Sequence, residues 1–224
     1  MIYTGFDCAP FPGLDTLSWI KKASGASWTG FYLGPAPSHP AADWMPHRAD
    51  LVAADFGLMP IYVGQELAGP GRHLVSAEQG NVDGAAAAAL MAEAGFPEHS
   101  YCYLDLEDGP PFLEPRVSYV RYWAGGLFRG GYSPGVYCSH AIAEEVLGIF
   151  EAESVQAPRI WAFKVPTTAY HAVGSLPFPA DEPAGSGVSQ AFAWQREQNA
   201  EITTPHGRVA IDVSTSLTAD PSAP

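Results

Sequence analysis

The chain has little positive charge. Eleven Lys and Arg stand against 24 Asp and Glu in 224 residues, a formal net charge of −13, and the basic residues form no stripe or cluster. That argues against nucleic acid or an anionic membrane surface as a partner, and the acidity reads as solubility. Cysteine is also scarce. Cys8, Cys102 and Cys138 are an odd number, each in or at the end of a predicted strand, which is no disulfide framework. They read as small buried apolar residues. The seven histidines, His39, His47, His73, His99, His140, His171 and His206, fall mainly in loops and at element ends. No Cys/His spacing resembles a zinc site, so neither metal nor cofactor is expected. Long apolar runs are missing: no segment approaches a membrane span, and Met1 to Asp7 lacks the basic and apolar regions of a signal peptide. No glycine-rich phosphate loop follows the first predicted strand, which counts against an open doubly wound sheet.

What is present is a strong alternation of strands and helices. The chain is 47% hydrophobic and 16% charged, enough for a large core in one domain. Strands are predicted at Ile2 to Asp7, Trp28 to Leu33, Leu58 to Val63, Ser100 to Leu106 and Gly135 to Cys138. Each is followed by a stretch of helical period, of which Asn81 to Ala94 is the clearest, with Asp83 in its first turn and Gly95 as its stop. The pattern then changes. Strands at Arg159 to Phe163, Ala191 to Gln195 and Arg208 to Val213 have no convincing helices between them. Lys164 to Gln190 is rich in Pro, Gly, Ser and Ala, and Gln198 to Gly207 reads as a turn region. The expectation is an α/β fold, a single TIM-type (β/α) barrel of five β/α units followed by three strands with few or no helices. The barrel spans residues 1–216, residues 217–224 are expected as a flexible C-terminal tail, and a monomer is expected.

The most informative stretch is Tyr101-Cys102-Tyr103-Leu104-Asp105-Leu106-Glu107-Asp108, a β-favouring run that ends in carboxylates and breaks into Gly109-Pro110-Pro111. Strand alternation puts Asp105 and Glu107 on one face, with backbones roughly 6.6 Å apart from about 3.3 Å of rise per residue. Two carboxylates so placed suit the hydrolysis of a glycosidic bond. In a barrel the C-terminal ends of the strands share one mouth. The residues read at that mouth are Asp7, Tyr32, Tyr62, Gln65, Asp105, Glu107, Tyr137, Trp161, Trp194, Gln195 and Asp212. Aromatic faces suit the apolar side of a sugar ring, and carboxylates suit its hydroxyls and glycosidic oxygen. Tyr32, Tyr62, Tyr137, Trp161 and Trp194 serve equally well as barrel packing, and Asp108 reads as a turn residue.

The order of these motifs resembles glycoside hydrolase family 25, the lysozyme-type muramidases. The motifs are Asp7, the Asp105/Glu107 pair, Gly135-Val136-Tyr137, Ile160-Trp161-Ala162, Trp194-Gln195 and Ile211-Asp212-Val213. The chain resembles still more the related glycoside-hydrolase-like domain of bacterial proteins, over Tyr3 to about Ser214. The resemblance implies Glu107 as general acid/base and Asp105 as the carboxylate that steadies the N-acetyl group or the developing positive charge. Asp7 and Asp212 are then supporting carboxylates, while Tyr32, Tyr62, Gln65, Tyr137, Trp161, Trp194 and Gln195 are expected to bind substrate from their place at the mouth. The implied substrate is bacterial cell-wall peptidoglycan, met at the wall or outside the cell. One motif departs from the muramidases: Cys8-Ala9-Pro10-Phe11 stands where they carry a Ser and a Trp-Gln pair. A glycan- or partner-binding barrel with weak or no turnover is therefore the alternative, and an enzyme of another class on the same scaffold is a third.

Overall fold

The computed structural model describes residues 1–69, 71–152, 157–165 and 176–224. The chain runs β1 (Tyr3–Asp7), α1 (Leu14–Ser24), β2 (Trp28–Tyr32), α2 (Arg48–Ala53), β3 (Gly57–Val63), α3 (Ala77–Glu93), β4 (Tyr101–Leu106) and α4 (Arg116–Arg129). It continues with β5 (Ser133–Ser139), α5 (Ala143–Ala152), β6 (Arg159–Phe163), β7 (Ala191–Thr204) and β8 (Gly207–Ser216). The eight strands close into a barrel in chain order. Five β/α units are followed by three strands joined through a 3₁₀ turn at Pro183–Ser186 and a hairpin, as the pattern of the residues predicts. Among the described residues no helix is long and apolar enough to cross a membrane. The predicted loop Lys164 to Gln190 falls in part on residues 166–175, as does His171, outside the described residues.

The helices follow local chemistry. Helix α1 buries Leu17 and Ile20 and stops at Gly25, whose left-handed backbone (φ 76°) returns its N–H to the Lys21 carbonyl. Helix α3 opens on Ser76, whose side chain accepts the Gln79 N–H. It packs tightly on α4 because small residues let the backbones approach. A Cβ at Gly84 would lie 2.1 Å from the Trp123 carbonyl oxygen. Asp83, buried on α3, accepts hydrogen bonds from the Gln65 amide (3.0 Å) and the Tyr119 hydroxyl (2.8 Å), which fastens the β3–α3 loop to both helices.

Two corrections concern the end of the chain. The region Gln198 to Gly207 is mostly strand: β7 continues to Thr204 and turns through Pro205-His206 into β8. From Glu201 to Thr204 exposed and buried residues alternate, so the polar composition concealed a strand period. Strand β8 consequently runs antiparallel to both β7 and β1, whereas the other neighbouring strands are parallel. Residues 217–224 do not hang free. Tyr101 donates its N–H to the Ser222 carbonyl (2.8 Å), the Tyr103 hydroxyl reaches the Pro221 carbonyl (3.0 Å), and Arg159 binds the Pro221 and Ala223 carbonyls. The segment closes the bottom of the barrel because inward-facing Tyr103 needs a partner there.

The barrel interior is aromatic. Trp161 meets Trp28 and Tyr103 edge-on, with ring centroids 6.2 and 6.3 Å apart. All three rings are fully buried, and each contributes roughly 2–3 kcal/mol by leaving water. They form the floor beneath the upper mouth.

Candidate active site

In parallel strands, directly paired residues share a face. Asp105 pairs with Val63 and Tyr137, and Tyr137 pairs with Trp161, so Asp105, Tyr137 and Trp161 all point inward. Asp7, the last residue of β1, lies opposite Asp212 of the antiparallel β8. Gly30 of β2 makes room for Asp7, since a Cβ there would sit 2.4 Å from the Asp7 Cβ. The result is one narrow hollow of about 20 Å³ lined by Asp7, Tyr32, Ile61, Asp105, Glu107, Tyr137, Trp161, Gln195 and Asp212. That is room for about one water-sized group, so the hollow takes a single substituent of a ligand and leaves the rest outside.

Hydrogen bonds fix much of the lining. The Tyr32 hydroxyl donates to Asp7 Oδ2 (2.9 Å) and the Tyr137 hydroxyl to Gln195 Oε1 (2.7 Å). Gln195 Nε2 donates to Asp212 Oδ2 (3.2 Å), and the Asn199 N–H donates to Asp212 Oδ1 (2.7 Å). Asn199 reaches that position through left-handed backbone (φ 55°), at a place where the β7–β8 register slips twice. Two carboxylate oxygens, Asp7 Oδ1 and Asp105 Oδ1, are buried with no hydrogen-bond partner among the described residues. Glu107, one residue beyond β4, is exposed at the rim.

The acids raise one another. Burial pushes Asp7 well above the usual carboxylate range, and Asp212 and Glu107 add to it, against the bonds from Tyr32 and Gln195. Burial likewise holds Asp105 high, reinforced by Glu107, Glu66, Asp7 and Asp212. Asp212 is raised to about 6 by burial, opposed by the Asn199 N–H. Such carboxyls keep a proton into the range where a general acid works.

The structure thus gathers Asp7, Tyr32, Asp105, Glu107, Tyr137, Trp161, Gln195 and Asp212, and leaves three expected residues elsewhere. Tyr62 is on the outer face of β3, packed against Trp123 of α4 with centroids 6.3 Å apart; its neighbour Ile61 points inward instead. Gln65 is turned toward α3, bonded to Asp83 and to the Leu74 N–H. Trp194 is on the outer face of β7, its indole N–H on the Lys164 carbonyl and its ring so close to Gly185 that a Cβ there would lie 2.6 Å away. Gln198, which donates to Gln195 Oε1 (2.8 Å), and Glu66, a buried carboxyl raised to about 7 by burial and by Glu107, are additions to the rim. No motif marked either, because both depend on loop and bulge geometry.

A family model described as "Rv2525c-like, glycoside hydrolase-like domain" matches residues 18–214. No curated protein sequence is significantly similar to the chain. Among solved structures, an uncharacterized B. stearothermophilus protein superimposes with a TM-score of 0.68 at 18% identity, covering 95% of this chain and 94% of that one. The Clostridium perfringens spore cortex lytic enzyme SleM gives 0.61 at 10% identity, over 96% of this chain and 67% of that one. The bacterial lysozyme from Streptomyces coelicolor gives 0.59 at 13% identity, over 96% and 92%. At such identities these likenesses show the fold: a barrel shared with lytic enzymes and lysozymes.

Proposed function

The chain belongs to the Rv2525c-like, glycoside hydrolase-like domain family, and from that premise we propose that it is a glycosidase of the muramidase type, acting as a monomer on bacterial peptidoglycan. One observation carries the reading: acids from the start, middle and end of the chain line a single aromatic-walled hollow. Glu107 at the exposed rim protonates the leaving glycosidic oxygen. Asp105, buried beside it, stabilises the positive charge that develops on the sugar, and the Glu107 carboxylate then takes a proton from the water that adds to the sugar carbon, which restores the acid. Asp7 and Asp212 hold the sugar's hydroxyls, with Tyr32 and Gln195 keeping both carboxylates in place. Tyr137 and Trp161 supply the apolar wall. The remainder of the glycan runs through a groove of about 350 Å³ that begins at Cys8, next in the chain to Asp7, and is lined also by Pro10, Pro12, His206, Val209 and Ala210.

The test is digestion of purified peptidoglycan with mass spectrometry of the products, which should carry new reducing ends at muramic acid. The second reading, glycan binding without turnover, draws on the same groove. Where muramidases carry polar residues after the first Asp, this chain presents Cys8, buried and kept a neutral thiol by desolvation. Peptidoglycan left intact after prolonged incubation, yet bound, would replace the first reading with the second.

A further inference from the structure

The hollow is rich in carboxyl groups and its lining holds no basic side chain, neither Lys, Arg nor His. The neutral donor groups on the lining already have protein acceptors: the Tyr32 hydroxyl on Asp7, the Tyr137 hydroxyl on Gln195, one N–H of the Gln195 amide on Asp212, and the Trp161 indole N–H on Ser214 Oγ (3.2 Å). The reverse holds for acceptors. Asp7 and Asp105 are only 3% and 8% exposed, and each keeps one oxygen without a donor among the described residues. The charges around that pair are acidic as well: Asp212 from β8, Glu107 beyond β4, and Glu66 from the β3–α3 loop. Among the described residues no group of three His, Cys, Asp or Glu side chains is placed to hold a metal ion.

We propose that this hollow selects a 2-amino-2-deoxy sugar whose amine is free, as in a de-N-acetylated glycan, over the acetylated sugar. The inference rests on the glycan reading and narrows its substrate class. An ammonium group brings three N–H donors and a positive charge to Asp7 and Asp105, which favours their ionised form, and Tyr137 and Trp161 present aromatic rings beside it. An acetamide brings one N–H and no charge to those acids, and its carbonyl oxygen meets no cation on the lining.

The experiment is calorimetric titration of the full-length Glu107→Gln protein, which binds without turnover, at pH 6.5. The ligands are the glucosamine tetramer, the N-acetylglucosamine tetramer and methylammonium chloride. The free-amine tetramer should bind about tenfold more tightly than the acetylated one, the worth of one charge-assisted contact. Asp105→Asn and Asp7→Asn, each added separately, should shrink that ratio. Equal or tighter binding of the acetylated tetramer overturns this inference and leaves the glycan reading standing. Methylammonium binding as tightly as the free-amine tetramer supports the ammonium site while counting against the glycan reading. No binding of any of the three overturns the inference, whatever peptidoglycan digestion shows.

Discussion

At the lower end of the barrel polar groups meet partners, while at the upper end several are kept apart. Below, Tyr103, Arg159 and the Tyr101 N–H are all bonded to the final segment, and the Arg159 guanidinium lies over the Tyr101 and Phe192 rings, 3.6 and 4.4 Å from their centroids. Above, Asp7 and Asp105 are buried with an oxygen each unmet and their carboxyls crowded by other acids. Burying a carboxyl without full compensation costs stability, so the upper end is held in an unfavourable state by the rest of the fold. The contrast teaches where selection for folding and selection for chemistry act on one barrel: the bottom stabilises and the mouth is loaded.

The largest expected effect tests the mouth alone. Glu107→Gln should reduce release of reducing ends from peptidoglycan by about 10²–10⁴-fold. Because Glu107 is exposed, its melting temperature should stay within about 1 °C of the unmodified protein, read by calorimetry. The bottom should behave in the opposite way. Arg159→Ala, or removal of residues 220–224, should cost about 2–4 kcal/mol in urea unfolding while leaving activity per folded molecule unchanged. Equal losses of stability and activity in that variant would break the comparison, because the two ends would then not be separable.

A third measurement sharpens the energetic claim. A carboxyl whose folded pKa is raised binds its proton more tightly in the folded state than in the unfolded one. Its contribution is most favourable below the unfolded value near 4 and is lost as pH rises through the folded value. Asp105 is raised well above that range and Asp212 to about 6, so stability should decline from about pH 4 through pH 6 and beyond. Asp105→Asn should therefore stabilise the protein by about 1–2 kcal/mol at pH 8, with the gain vanishing near pH 4. Thermal melts across that range read the difference between the two curves. The smallest effect concerns the bulge: Asn199→Gly should be neutral within about 0.5 kcal/mol, and Asn199→Val should cost about 1–2 kcal/mol because a β-branched residue resists positive φ. The valine variant should also move the pH dependence that Asp212 contributes, since the Asn199 N–H opposes its rise.

Much of the site was legible one strand at a time. Period two places Asp105 and Glu107 on a common face, and both line the hollow. The same rule was silent on which face of β3 or β7 is inside. Both faces of a barrel strand are buried, one by the interior and one by helices or turns, so apolar and aromatic residues occupy both. Tyr62 and Trp194 therefore looked as eligible as Tyr137, and only the pairing of Ile61 with Tyr103, and of Ala193 with Trp161, reveals the inward face. Asp212 reached the mouth for a reason the chain order concealed. It is not at the end of a parallel strand but within an antiparallel one, set opposite Asp7 by register.

Taken by itself, the order of residues determined the five β/α units and the acids that ride on them, because periodicity, capping and turn chemistry act within a few residues. Tertiary structure alone decided which side chains look inward, which way the last strand runs, and that the final residues close the floor. Those are consequences of closing the barrel, where each strand's facing depends on its neighbours' register, and no local pattern carries that information.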